Sequence, residues 1–269
     1  MGKRTSYEPG TFCWTELGTT DTDAARASYG DLLGWDFQDV RISEEFVLGI
    51  GRIDGDSVAA VHPQPERQRE AGVPPAWFSY VTVASADDAA AAATEAGGSV
   101  HAGPFDAPDS SRRMAVIADP TGAMFGIWEP RESIGATLVN EPGCLTWNEL
   151  ATNDMAKATE FYGRLFGWES EPIDTGGGPP YWVIQHTGAA EGRNGGIREL
   201  APEQAEAGIP PHWMPYFVAE SVDEAIGSVT DGGGSAMFGP LDLPTDARIA
   251  VVSDPQGAIF GLFEGETDD

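Results

Sequence analysis

The stretch GTFCWTELGTTDTDAARASYGDLLGWDF, residues 10–37, returns almost intact as GCLTWNELATNDMAKATEFYGRLFGWES, residues 143–170. Trp14 and Trp147 stand 133 residues apart, and so do Glu16 and Glu149, and Gly34-Trp35 and Gly167-Trp168. Two further passages repeat at nearly the same spacing. AGVPPAWFSYVTV (71–83) pairs with AGIPPHWMPYFVA (207–219), and MAVIADPTGAMFGIWE (114–129) with IAVVSDPQGAIFGLFE (249–264). Fixed-period self-similarity marks duplicated architecture. The small drift in spacing places insertions in loops. The chain therefore reads as two related domains, 1–135 and 136–269, joined near Pro130–Asn140.

Each half has its own rhythm. Phe12–Leu17 alternates as a strand does, and Thr20 or Asp21 then caps a helix that Gly34 stops. Phe46–Ile50 and Val58–Val61 read as strands, and Pro63–Pro75 as a polar, proline-rich loop. A strand at Phe78–Val83 and a helix at Ala86–Ala96 follow, the helix ended by Gly97-Gly98. Strands at Val100–Ala102, Met114–Ala118 and Met124–Trp128 close the half, with a turn at Asp119–Gly122. The order strand, helix, strands occurs twice per half, giving four βαβββ-like modules and an α+β fold.

This pattern resembles the vicinal oxygen chelate superfamily, which includes glyoxalase I, bleomycin-resistance proteins and extradiol dioxygenases. The residues that carry the resemblance are the opening strand and its helix, ending in Tyr29…Leu33-Gly34-Trp35 and Phe161-Tyr162…Phe166-Gly167-Trp168. The double glycine and the turns Asp119-Pro120-Thr121-Gly122 and Asp254-Pro255-Gln256-Gly257 match too. Within it, the chain is similar to tandem glyoxalase-like proteins of actinobacteria that carry a hydroxylase label. The resemblance implies paired modules forming a U-shaped mixed sheet around a cavity. It also implies a divalent-metal site built from His or Gln on opening strands and Glu on closing strands. Here the opening-strand positions hold Trp14, Phe78, Trp147 and Met214, and the closing-strand positions hold Gly126 and Gly261. The remaining position lies near Ala60 in one half and Gly196 in the other. Divalent ions need converging N and O donors, which these residues lack. No metal and no cofactor is expected, although His62, two residues from Ala60, keeps an unusual metal site as a third reading.

Strand alternation places Phe12, Trp14 and Glu16 on the cavity face, with Phe78 and Tyr80, then Met124, Gly126 and Trp128. The second half offers Trp147 and Glu149, Met214 and Tyr216, then Gly261 and Phe263. Gly126 and Gly261 should widen the cavities. Such aromatic concavities suit a planar hydrophobic small molecule. The first reading is thus a metal-free binding protein. The second is an enzyme, a hydroxylase or an isomerase or lyase on aromatic or polyketide-like substrates, with Glu16/Tyr80 or Glu149/Tyr216 as acid–base groups. The sequence leaves open whether both cavities function. His101, His186 and His212 lack counterparts in the other half and read as packing or surface residues. Cys13 and Cys144 should face away from the cavity as inert thiols. Gly176-Gly177-Gly178 and Gly232-Gly233-Gly234 read as turns.

Acids number 43 of 269 residues against 15 Lys and Arg, a net charge of −28. That balance argues against nucleic acid and anionic membranes as partners. No apolar run is long enough to span a bilayer and the start lacks a signal-peptide core. The expectation is a cytoplasmic protein, a monomeric pseudo-dimer or weak homodimer, whose partner is a small molecule.

Overall fold

The structure, a computed structural model, describes residues 2–43, 46–175, 179–186 and 193–267. The expected turn at Gly176-Gly177-Gly178 lies outside the described residues.

In the first half the elements are β1 (Phe12–Thr19), α1 (Thr22–Leu33), β2 (Asp36–Arg41), β3 (Val47–Ile53), β4 (Asp56–Pro63), α2 (Glu66–Glu70), β5 (Ala76–Thr82), α3 (Ala86–Glu95), β6 (Ser99–Asp106), β7 (Arg112–Ala118) and β8 (Met124–Pro130). The second half repeats them as β9 (Leu145–Thr152), α4 (Met155–Phe166), β10 (Trp168–Ile173), β11 (Tyr181–His186), β12 (Arg193–Glu199), α5 (Pro202–Glu206), β13 (His212–Val218), α6 (Val222–Asp231), β14 (Ser235–Asp242), β15 (Arg248–Ser253) and β16 (Ile259–Glu264). Three elements differ from the sequence reading. β2 is an added strand, its mostly exposed DFQDVR carrying no strong alternation. The loop Pro63–Pro75 contains the short helix α2. β6 runs on to Asp106 because register shifts carry it past Pro104, which has no N–H to give.

Each half forms one eight-stranded mixed sheet, in the order β2-β3-β4-β1-β5-β8-β7-β6 and its twin β10-β11-β12-β9-β13-β16-β15-β14. The central pair β1/β5 is antiparallel, and each is flanked by a parallel partner, β4 or β8. The helix caps explain the local stops. Asp21 accepts from the Ala24 N–H, and Gly34, at φ 72°, ends α1 in the left-handed conformation. Asp154 and Gly167 do the same for α4. The double glycine has two separate causes. Gly97 holds φ +94°, and a Cβ on Gly98 would collide with Phe161 of the other half and the Ala118 carbonyl.

The cores are shared across the halves. Tyr29, Leu33 and Trp35 pack with Phe217, Val222, Phe260 and Leu262. Reciprocally, Phe125 and Ile127 pack with Phe161, Tyr162, Trp168 and Trp213. Hydrogen bonds follow the same crossing. Trp35 Nε1 donates to the Gly143 carbonyl and Trp168 Nε1 to the Gly10 carbonyl, each at 2.8 Å. Trp77 Nε1 donates to the Tyr29 hydroxyl, which donates to Asp254 of the second Asp-Pro-x-Gly turn at 3.1 Å. The Tyr…Gly-Trp and Asp-Pro-x-Gly signatures are therefore two sides of one seam. Phe12 belongs to it too: it packs edge-on against Trp213 and beside Trp168, not in the cavity. The cause is a register shift between Phe12 and Trp14, which breaks the alternation at Cys13.

Candidate functional site

One cavity of about 240 Å³ opens in the first half. Its walls come from β1 (Trp14), β2 (Val40), β3 (Leu48, Ile50), β7 (Arg112) and β8 (Trp128). Strands from opposite ends of the sheet order meet around it, so the sheet is curled about this space. Trp14 and Trp128 are nearly fully buried and lie 6.0 Å apart, ring to ring. Tyr80 packs edge-on against Trp128, and Phe78 edge-on against Tyr80. Arg112 lies over the Trp128 ring, 4.5 Å from its centroid, a cation–π contact. Arg112, Arg52, Ser111 and Ser133, absent from the sequence reading, also line the cavity.

Beside this space sits a polar cluster. The Tyr80 hydroxyl donates to Glu16 at 2.5 Å. His62 Nε2 lies 3.7 Å from the same Glu16 oxygen, and its Nδ1 is 3.0 Å from the Pro63 carbonyl. Burial first, and then the Glu16 charge, hold the Tyr80 phenol well above its ordinary range. Tyr80 is therefore a standing donor to Glu16 and not a base.

The second half rebuilds the cluster differently. Glu149 is buried and accepts from Arg198 Nε at 2.7 Å and from the Tyr216 hydroxyl at 3.3 Å. Arg198 also donates to Gln204 of α5. The strand register pairs Glu16 with Ala60 and Glu149 with Gly196, so His62 and Arg198 occupy equivalent places. His62 thus has a counterpart of another residue type in the second half. That substitution, across a loop of changed length, hid the match. Trp147 Nε1 donates to the Tyr181 hydroxyl at 2.8 Å, and a Cβ on Gly196 would run into that hydroxyl. Tyr181 therefore fills the place where the first half has space beside Leu48. The register sets Leu48 at its position.

Gly126 and Gly261 do not widen the cavities. A Cβ at either would collide with the ring of Tyr80 or Tyr216, which lies across the glycine from the neighbouring strand. The tyrosine takes the volume that a longer closing-strand side chain would need. Met214 is buried and Phe263 half-buried. Met124 is half-buried at the start of β8 and lies outside the cavity lining. Cys13 is buried against the cavity-side cluster of Trp14 and Tyr80, not turned away from it, through the same register shift that moves Phe12. Burial pushes the Cys13 and Cys144 thiols up to about 12, which keeps them unreactive. Burial lowers the pKa of His212, which contacts the Pro210 carbonyl; His101 is at the surface near Ser99.

The residues do not fit a divalent metal at the family position. Trp14, Phe78, Trp147 and Met214 carry no hard donor, and the glycines are covered by tyrosine rings. Among the described residues no three His, Cys, Asp or Glu side chains converge on a common point. Among them, too, no helix is long and apolar enough to cross a membrane.

The fold and site place the chain among known proteins. It is 37% identical over 265 residues to "Putative glyoxylase CFP32" of Mycobacterium tuberculosis, covering 98% of each chain. It is 33% identical over 273 residues to "Anthracycline biosynthesis protein DauV" of Streptomyces sp. (strain C5), covering 97% of this chain and 95% of that one. Among solved structures, 2,2',3-trihydroxybiphenyl 1,2-dioxygenase from Sphingomonas wittichii aligns with a TM-score of 0.66 at 14% identity, over 97% of this chain and 92% of that one. The Mn(II)-bound glyoxalase from Novosphingobium aromaticivorans aligns at 0.62 and 14%, over 100% and 85%. The family profile described as glyoxalase/bleomycin resistance protein/dioxygenase superfamily matches residues 11–127 and again 145–262. With both halves matched and a relative above one-third identity along the whole length, the chain belongs to the glyoxalase/bleomycin resistance protein/dioxygenase superfamily.

Proposed function

We propose that the first half binds a planar aromatic small molecule in the space beside Trp14 and Trp128, without a metal ion. The observation that carries this reading is the cavity itself. It is walled by two tryptophans and by Val40, Ile42, Leu48 and Ile50, within the curl of the sheet. Its volume, about 240 Å³, falls just below the ~300 Å³ at which ordinary ligand sites begin. It therefore suits a fused-ring edge better than a bulky globular ligand. Aromatic walls favour flat ring systems through offset and edge contacts. The Streptomyces relative is named for anthracycline biosynthesis, and anthracyclines are fused-ring aromatics. The second half, with Tyr181 inside the equivalent space, serves as scaffold. Titration with 2-naphthol, followed by tryptophan quenching, gives a saturable curve with one site per chain. Ile42→Trp, which fills the cavity from a half-buried position, abolishes it. The absence of saturable quenching by any of a panel of bicyclic aromatics would sink the reading.

One cluster favours a second reading. Glu16, between the Tyr80 hydroxyl and the His62 ring, is placed to take a proton from a ligand bound beside Trp14. An enzyme of this kind loses turnover in Glu16→Gln while its ligand affinity stays within about threefold. Unchanged turnover in that variant removes the proton-transfer reading and leaves binding intact.

A further inference from the structure

The molecule carries 15 basic residues against 43 acidic ones, yet two arginines, Arg52 and Arg112, line the aromatic cavity of the first half. We propose that the cavity's ligand is an aromatic anion, a carboxylate or enolate on a flat ring system, whose charged edge faces Arg112 and Arg52. This rests on the aromatic-binding reading above and adds the charge class of the ligand.

Arg112 is recessed and under-used, and Arg52 is half-buried. The Arg112 side chain is 14% exposed, lies flat on Trp128 and donates Nη1 to Ser111 Oγ at 3.0 Å. Its Nε reaches only the Met114 sulfur, at 3.4 Å, a weak acceptor. Its Nη2 donates to no described residue. Arg52 reaches the Gly55 carbonyl at 3.4 Å through Nη1, and its Nε is buried with no acceptor. An anion in the cavity gives Arg112 Nη2 the charged acceptor it lacks, and its charge complements the neighbouring Arg52 guanidinium.

The acids at the same cavity do not cancel this. Asp109 and Glu132 are exposed on its rim, and Asp56, whose charge interacts with Arg52, is taken by Lys3 at 2.9 Å and by the Thr137 hydroxyl at 3.1 Å. The Asp109 carboxylate is taken by the Ser111 N–H and hydroxyl, and lies 3.9 Å from Arg112. Exposed acids keep their hydration, while recessed cations on an apolar wall do not. Both arginines also belong to this half alone. The pairings Arg113–Glu129 and Arg248–Glu264 are equivalent, which sets Ala247 in the place of Arg112. The matching register of β3 and β11 sets Gln185 in the place of Arg52. The half whose space is filled by Tyr181 is the half without the arginines.

The test compares two probes of one shape on the full chain: 2-naphthoate and the neutral 2-naphthylmethanol. In the wild type, 2-naphthoate binds at least about tenfold more tightly. Arg112→Met brings the two affinities within about twofold of each other by weakening the acid alone, and Arg112→Lys keeps part of the preference. Arg52→Met narrows the preference independently, which keeps the test open if one variant folds poorly. Equal affinities in the wild type, tighter binding of the alcohol, or an undiminished preference in both methionine variants overturns the anion assignment. In each of these cases the aromatic-binding reading stands. If neither probe binds, the anion assignment falls, and the bicyclic panel decides the aromatic-binding reading.

Discussion

Glu16 and Glu149 began as the same residue and now sit in different chemistry. Arg198 gives Glu149 a guanidinium at 2.7 Å, while Glu16 has the imidazole ring of His62 at 3.7 Å. The tyrosines beside them share one property. Burial comes first, and for Tyr80, Tyr181 and Tyr216 the neighbouring glutamate next, in raising the phenols well above 10.0; Tyr29 and Tyr162 are raised by burial and by Asp254 or Asp119. In the unfolded chain they ionise near 10.0. A raised folded value contributes stability that is intact below about pH 10 and is lost as pH climbs further. Tyrosinate absorbance and loss of near-ultraviolet circular dichroism should therefore rise together in one alkaline transition. Five tyrosines ionising well before unfolding would contradict this. A second prediction concerns Tyr29, whose hydroxyl both accepts from Trp77 and donates to Asp254. Tyr29→Phe strands two buried partners and costs about 1–3 kcal/mol in urea denaturation. Tyr162→Phe costs less, because the twin is looser: Trp213 donates to Tyr162, but Asp119 Oδ2 is left without a hydrogen bond.

Among elements, the strands and helices tell which patterns a sequence exposes. Trp14, Glu16, Tyr80 and Trp128 were legible because an unbroken strand puts alternate side chains on one face. Phe12 and Cys13 were not, because a register shift within β1 turns the alternation over, and nothing in FCW announces it. Arg112 and Tyr181 were hidden for another reason. Each is present in one half only, and reading by repeat draws the eye to what both halves share. Gly126 was noticed but misjudged, since the side chain that fills its space comes from the adjacent strand. The glycines also separate by cause, which gives a paired test. Gly126→Ala drives a Cβ into the Tyr80 ring and costs about 1–3 kcal/mol. Gly227→Ala, mid-helix in α6 with open space around it, stabilises by about 0.5–1 kcal/mol. Chemical denaturation of the two variants reads both signs; equal effects would refute the contact argument.

On the whole-molecule scale, two large cores each draw residues from both halves. Neither half can bury Tyr29, Trp35, Tyr162 or Trp168 by itself, and full burial of such a side chain is worth roughly 2–3 kcal/mol. The full chain should melt in a single calorimetric transition. The fragments 1–135 and 136–269 expressed apart should each lose near-ultraviolet signal and regain it on mixing. Two resolved transitions in the intact chain would show the halves to be independent. The duplication itself was plain from Trp14 and Trp147, but not this crossing. The Tyr29–Asp254 bond spans 225 residues, and no local pattern states which half a motif serves.

The fusion has a consequence for how such a protein can change. In a symmetric pair of identical chains, every substitution is made twice, and a gain at one cavity is tied to its copy at the other. Here Leu48 corresponds to Tyr181, Arg112 to Ala247, and His62 to Arg198. Either half is free to diverge at its cavity so long as both go on filling the seam. For an engineer, that makes positions 181, 185 and 247 a second, untouched plot: a new pocket can be cut there without disturbing the first.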